Sequence, residues 1–273
     1  MRNTNVSLKQ IQCIYWSPTG STRKIVEMVV KNTGLQQKEN INLTRPKVRK
    51  QYDGIIDGDL LVVGTSVYEG SIPTMILEPL NKLKGEGKWA VLIAVYGTRS
   101  AEACLEEMSG LLRTRGFKIL AAANFVAEHS YAHDEAPAGR GRPNEEDLKI
   151  AADFGEKIVE KLNASPIELS IKSKPLKHGE NYMRKERSEN RVKRVIKAPD
   201  LDEDKCIKCN KCVDACPMAA TDPETYRIDD EECMRCMACV RVCPTNAKSI
   251  TFPARVAEFM NKWEGNKSPE IFV

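Results

Sequence analysis

Cys206-Ile207-Lys208-Cys209-Asn210-Lys211-Cys212-Val213-Asp214-Ala215-Cys216-Pro217 returns 27 residues later as Cys233-Met234-Arg235-Cys236-Met237-Ala238-Cys239-Val240-Arg241-Val242-Cys243-Pro244. Each copy reads Cys-x-x-Cys-x-x-Cys-x-x-x-Cys-Pro, and the two use eight of the chain's ten cysteines. Soft thiolates select iron–sulfur clusters, zinc or Cu(I). Two Cys-x-x-Cys pairs fill one tetrahedral zinc site, which leaves the third and fourth cysteines of each run without a role. Four cysteines at this spacing, closed by proline and then repeated, point to iron–sulfur ligation. The acidic approach repeats too: Asp202-Glu203-Asp204-Lys205 precedes the first run and Asp229-Asp230-Glu231-Glu232 the second.

The remaining chain is too long for one ordinary domain. At 273 residues, with 41% hydrophobic and 29% charged residues, the expectation is two globular units. Residues 9–163 form the first, 164–200 a basic linker, 201–252 the cysteine-rich unit, and 253–273 a tail with a short amphipathic helix over Ala254–Trp263. A net charge of +4 makes no whole-chain argument for nucleic acid. No apolar run approaches the roughly 20 residues of a membrane span, and Met1–Gln10 has no apolar leader core. Metal-ligating thiols suit a reducing compartment, so the expectation is a cytoplasmic protein.

Residues 9–163 alternate short apolar runs with amphipathic stretches, the rhythm of βαβ units. Strands are predicted at Ile11–Trp16, Ile41–Leu43, Leu60–Thr65, Ala90–Val95 and Ile119–Val126. Their near-continuous apolar character suits strands covered on both faces. Helices are predicted over Thr22–Lys31, Ala101–Arg115 and, with Asn144 as N-cap, through Leu148, Ala151, Ile158 and Leu162. Five strands with flanking helices predict a doubly wound α/β sheet of order 2-1-3-4-5, flavodoxin-like.

Directly after the first strand comes Ser17-Pro18-Thr19-Gly20-Ser21-Thr22. A strand–turn–helix junction aims free backbone N–H groups and a positive helix end at one point, a seat for phosphate. Ser17, Thr19, Ser21 and Thr22 add neutral donors, and Gly20 lets the backbone approach closely. No Walker lysine follows, which disfavours ATP or GTP, and no Gly-x-Gly-x-x-Gly suits a dinucleotide. Tyr68 and Tyr96 lie just beyond strand ends, where ligands bind in such sheets. Cys13 and Cys104 read as buried small hydrophobes, and His129 and His133 as loop residues, while Trp16 is open between stacking on a ligand and packing under the turn.

These motifs resemble a known family. Ser-x-Thr-Gly-x-Thr after strand one is similar to the FMN phosphate loop of flavodoxins. Gly64-Thr65-Ser66-Val67-Tyr68-Glu69-Gly70-Ser71-Ile72-Pro73 resembles the first isoalloxazine loop, and Val95-Tyr96-Gly97-Thr98-Arg99 the second. Glu128-His129-Ser130-Tyr131 and Gly141-Arg142-Pro143 look like their counterparts in the flavodoxin–ferredoxin fusion proteins of anaerobes. The resemblance implies FMN bound by Ser17, Thr19, Gly20, Ser21, Thr22, Ser66, Val67, Tyr68, Gly70, Tyr96, Gly97, Thr98 and Arg99. It implies a small α+β two-cluster ferredoxin-like domain with two 4Fe–4S clusters. Their ligands cross between the runs: Cys206, Cys209, Cys212 and Cys243 on one, Cys233, Cys236, Cys239 and Cys216 on the other. This chain departs from the family at Ser66, Ser71 and Thr98, and has Asn210 and Met237 where small glycine is common.

Between the units, residues 171–198 carry ten Lys or Arg against three Glu, whereas residues 201–252 carry ten Asp or Glu against seven Lys or Arg. The linker is expected to dock on that acidic module or on an acidic redox partner rather than on nucleic acid, with a helix over Asn181–Lys197. The function implied is electron transfer between FMN and the clusters, converting two-electron to one-electron carriers, with donor and acceptor proteins unknown. A flavin-dependent reductase of a small molecule and a redox-sensing regulator stay open as alternatives.

Overall fold

A computed structural model describes residues 8–164, 166–172, 192–263 and 267–273. Strand β1 spans Gln10–Trp16, β2 Gln36–Gln37, β3 Ile41–Asn42, β4 Leu60–Ser66, β5 Trp89–Tyr96 and β6 Lys118–Val126. They pair in parallel, with β2 and β3 both against β1, then β4, β5 and β6. Counting β2 and β3 as one broken strand, the order is the expected 2-1-3-4-5. The break has a cause. Lys38 N–H still donates to Ile11 O at 2.8 Å, but residues 39 and 40 leave the ladder: the Gln12 side chain donates to Glu39 O at 3.0 Å and the Cys13 thiol to Asn40 Oδ1 at 2.9 Å.

Alternation sends each strand residue to one of two cores. Ile11, Cys13 and Tyr15 of β1, Leu60 and Val62 of β4, and Val91, Ile93 and Val95 of β5 share a face. There they meet Ile25, Val26 and Val29 of α1 (Ser21–Lys31) and Ala151, Phe154 and Ile158 of a long C-terminal helix of the domain (Glu145–Asn163). Ile14, Trp16, Leu61, Val63 and Leu92 point the other way, onto α4 (Cys104–Thr114) and α3 (Leu77–Asn81). Between β3 and β4 lies α2 (Pro46–Gln51). With both faces covered, the strands have no solvent side, which is why they read as apolar runs.

Helix ends follow local chemistry. Asn144 caps Glu145–Asn163 through a reciprocal capping box with Asp147, as expected. Helix α4 starts at Cys104, later than the expected Ala101, because the chain is diverted first: Glu102 has φ 45° and Ala103 N–H donates to Gly70 O at 3.0 Å. The sequence reading did not anticipate a strand at Glu270–Phe272. It adds antiparallel to β6, Ala122 facing Phe272 and Asn124 facing Glu270, and covers an open sheet edge.

In the cysteine-rich unit the internal repeat is visible in the backbone. Left-handed φ values occur in pairs 27 residues apart, at Lys208 and Arg235, Asn210 and Met237, and Ala219 and Asn246. Asn210 and Met237 immediately precede the short helices Lys211–Ala215 and Ala238–Arg241. The family's glycine preference at both sites thus has a conformational reason, since φ near 60° costs other residues about 1 kcal/mol or more. A strand pair, Asp200–Leu201 with Lys248–Ser249, ties the unit's ends together. The helix predicted over Asn181–Lys197 lies mostly outside the described residues; residues 192–195 are helical. The tail helix runs Ala254–Asn261. No described helix is long and apolar enough to cross a membrane.

Candidate functional site

The carboxyl ends of β1, β4, β5 and β6 open on one cavity of about 660 Å³, a volume suited to a small-molecule cofactor. Thr19, Ser21 and Thr22 of the first turn line it, followed by Ser66, Val67, Tyr68, Glu69 and Gly70 after β4. Tyr96, Gly97, Thr98 and Arg99 after β5, and Glu128, His129, Ser130 and Tyr131 after β6, complete that wall. Of the residues the resemblance assigns to FMN, Ser17 and Gly20 alone stand behind the lining. Ser17 Oγ accepts from Arg23 N–H at 3.0 Å, and its own N–H donates to Thr44 Oγ1 at 2.8 Å, so this hydroxyl shapes the turn. Gly20 takes φ 91° at the N-cap of α1, a left-handed bend that L side chains rarely adopt. Thr22 Oγ1 and Ser66 Oγ are 2.9 Å apart, which joins the phosphate turn to the β4 loop.

Close approach explains Gly97. A Cβ there would lie 2.6 Å from His129 Cδ2, so glycine lets the β5 and β6 loops pack together. Burial, then the positive charge of Arg241, pulls His129 down from 6.5 to about 4. The unfolded chain therefore binds a proton between these values that the folded chain refuses. Stability should fall as pH drops from about 6.5 towards 4, and His129→Gln should flatten that slope in thermal melts across the range.

The far wall comes from distant sequence. Val192, Val195 and Ile196 precede the cysteine runs, while Arg255, Val256, Phe259, Met260 and Trp263 come from the tail. Arg99 sits 5.7 Å over the Trp263 ring, and Asn261 Nδ2 donates to Glu135 O at 3.0 Å. Tyr131 stacks at 5.2 Å from Phe252. No local signal marks these tail residues as site residues. The 3.6-residue stripe of the helix shows only that one face is buried.

The cysteines line two smaller hollows. Cys216, Cys233, Cys236 and Cys239 line the first with Pro217, Met234 and Met237. Cys206, Cys209, Cys212 and Cys243 line the second with Ile207, Lys208, Lys211 and Lys248. Among the described residues no three His, Cys, Asp or Glu side chains converge on a single metal ion; each set of thiols surrounds a space instead. Burial pushes the thiols of Cys236 and Cys239 up, the latter to about 12. Such thiols become thiolates only around a cationic core, which is what a cluster supplies. Backbone N–H groups already point at sulfur: Ala220 to Cys216 Sγ at 3.2 Å and Lys248 to Cys243 Sγ at 3.4 Å. Cys13 and Cys104 are buried in the sheet domain, away from both sets.

The first hollow adjoins the large cavity. Met237 packs with Ile196, Val256, Met260 and Tyr131, all lining the cavity. Burial raises the hydroxyls of Tyr68 and Tyr131, and the neighbouring Cys236 adds to both. Arginines bridge the units around this contact. Arg49 lies 5.2 Å over the Trp16 ring and donates to Pro217 O at 2.7 Å, and Arg241 pairs with Glu128 at 2.7 Å while reaching His129 O at 3.0 Å. The described end of the linker joins in: Lys193 donates to Glu231 O, and Ala198 N–H to Asp230 Oδ1 at 3.1 Å.

Residues 198–254 match the protein-family model described as a 4Fe-4S dicluster domain. No curated protein matches the chain. Among solved structures, a Streptococcus pneumonia TIGR4 flavodoxin is similar at 19% identity, TM-score 0.40, over 56% of this chain and 99% of that one. Oxidised flavodoxin 1 from Bacillus cereus gives 16% identity and TM-score 0.40, over 56% of this chain and 98% of that one. Rubredoxin oxygen:oxidoreductase from the anaerobe Desulfovibrio gigas gives 16% and 0.43, over 59% of this chain and 37% of that one. The strand order, rather than these low scores, carries the fold assignment. A flavodoxin-like unit and a 4Fe–4S unit on one chain support a redox, electron-transfer role. With that sheet at its N-terminal end and a dicluster domain at its C-terminal end, the chain fits a flavodoxin–ferredoxin fusion.

Proposed function

We propose that the protein relays electrons within one chain, between FMN in the large cavity and two 4Fe–4S clusters in the cysteine hollows. The flavin exchanges electrons in pairs or singly and each cluster takes one at a time, so the assembly converts between the two regimes. On this reading Thr19, Ser21 and Thr22 hold the phosphate, and Tyr68 and Tyr96 flank the ring. The inner hollow, nearest the flavin, uses Cys233, Cys236, Cys239 and Cys216. The outer hollow uses Cys206, Cys209, Cys212 and Cys243. One observation carries the order: Tyr131 and Met237 stand between the large cavity and the inner cysteines. Arg49 and Arg241 hold the units against each other, so transfer needs no search by a free tether.

The flavin half is tested by titration. Thr19→Ala and Thr22→Ala should each loosen FMN about tenfold, at about 1–1.5 kcal/mol per lost hydrogen bond. Fluorescence quenching of FMN against anaerobically purified protein reads this. Wild type that takes up neither FMN nor its reduced form would end the proposal.

A further inference from the structure

The two cysteine hollows differ in exposure and charge. Cys233, Cys236 and Cys239 are buried, and no Lys, Arg, Asp or Glu lines their hollow. Cys209 of the outer hollow is exposed, and the lining there includes Lys208, Lys211 and Lys248 but no carboxylate. Lys248 is buried and donates to Tyr226 O. Lys208 and Lys211 are exposed and form no ion pair among the described residues. Between the cysteines Ile207 is 63% exposed. Arg45 reaches over from the sheet domain to Asp214 O at 2.9 Å, bringing another cation to the helix that starts at Lys211. This face is cationic although residues 201–252 hold ten acidic residues against seven basic. Asp202 pairs with Lys205 at 2.6 Å and Glu203 with Arg227 at 2.7 Å, while Asp204 and Asp214 are exposed but lie outside the lining of the hollow.

We propose that the rim Ile207, Lys208, Asn210 and Lys211 is the docking surface for a small acidic electron carrier protein with its own redox centre near its surface. The proposal rests on the reading that the outer cysteines hold a cluster. Electron tunnelling falls off steeply with distance, so a partner must come to the exposed thiolate; Phe259 and Trp263 wall the far side of the large cavity, and Cys233, Cys236 and Cys239 of the inner hollow are buried. One electron passes between the cluster at the outer cysteines and the partner's centre, in either direction, with no bond made or broken. The exposed isoleucine supplies a dry contact and the lysines around it steer and orient a negative surface. Complexes of this kind are small and transient, and their association depends on salt.

The test uses the full chain purified anaerobically, with iron counted on every sample. Binding of an acidic plant-type ferredoxin is measured by calorimetry across a salt series, with basic cytochrome c as the opposite probe. Wild type should bind the acidic probe, and K208E/K211E should weaken this at least tenfold at low salt and flatten the salt dependence. Ile207→Ser, which removes the dry contact without changing charge, should weaken it without flattening the salt dependence. Binding of the acidic probe unchanged by K208E/K211E, or preference of wild type for cytochrome c, overturns the docking surface while full iron leaves the cluster reading standing. Wild type that holds no iron overturns both.

Discussion

Replacing Cys216 with alanine is expected to empty the cluster site of the second cysteine run and leave that of the first. The residue follows Cys212 by four positions, yet it lines a hollow with Cys233, Cys236 and Cys239, while Cys243 lines the other with Cys206, Cys209 and Cys212. Iron should fall from about eight to about four per chain, with FMN retained. Because the lost site lies between the flavin and the outer cysteines, reduced flavin should pass electrons to the remaining cluster orders of magnitude more slowly in stopped-flow. Cys243→Ala should remove the outer site instead and spare flavin-to-inner transfer. EPR that finds Cys216→Ala and Cys212→Ala missing the same cluster would show ligation within each run and sink the crossed arrangement.

Ending the chain after Phe252 should be nearly as damaging, although it deletes no cofactor ligand of the expected kind. Arg255, Val256, Phe259, Met260 and Trp263 close the far side of the large cavity, where FMN is proposed to sit. Val256, Ala257 and Met260 bury their side chains against Met237, Ile196, Ala136 and Ala138. Each large one contributes about 1.5–3 kcal/mol by burial alone. The strand Glu270–Phe272 is lost too, which bares the β6 edge at Ala122–Asn124 and invites edge-to-edge association. Arg142 also loses its bond to Lys267 O at 2.6 Å. A loss of roughly 3 kcal/mol would lower the melting temperature by about 6–12 °C, and FMN affinity should drop at least tenfold. Calorimetry and FMN titration of the truncated chain check both, and an unchanged pair of values would mean that the tail is passive.

Legibility followed locality. The strands from Ile11 to Val126 announced themselves because a parallel strand with helices on both faces has no polar side, and their order followed from the βαβ rhythm. Asn144 is legible as an N-cap because capping is settled within four residues, and the structure adds the reciprocal bond from Asp147. The second strand was read only in part: β2 and β3 are two dipeptides around an excursion held by Gln12 and Cys13, contacts about 27 residues apart that no periodicity reveals. Helix α4 was set too early because Ala101–Ala103 are drawn off by Gly70, more than 30 residues back. Ser17, expected at the ligand, also braces the turn: its Oγ accepts from Arg23 N–H and its N–H donates to Thr44 Oγ1, contacts that only the folded loop reveals.

The amino-acid sequence by itself determined the repeated cysteine pattern, the Ser17–Thr22 turn after the first strand and the flavodoxin-like strand order, all written in short spacings that local geometry translates directly. Tertiary structure alone decided what the tail does and which hollow meets the large cavity, whereas the crossed grouping of the cysteines was already the expectation from the resemblance. Those outcomes depend on chain reversal: two repeats folded face to face exchange their fourth cysteines, and a helix and strand beyond them return to the first domain. Burial of Met237, Val256 and Met260 against a wall some 100 residues away drives that return, and its driving force is non-directional apolar area, which leaves no motif to read.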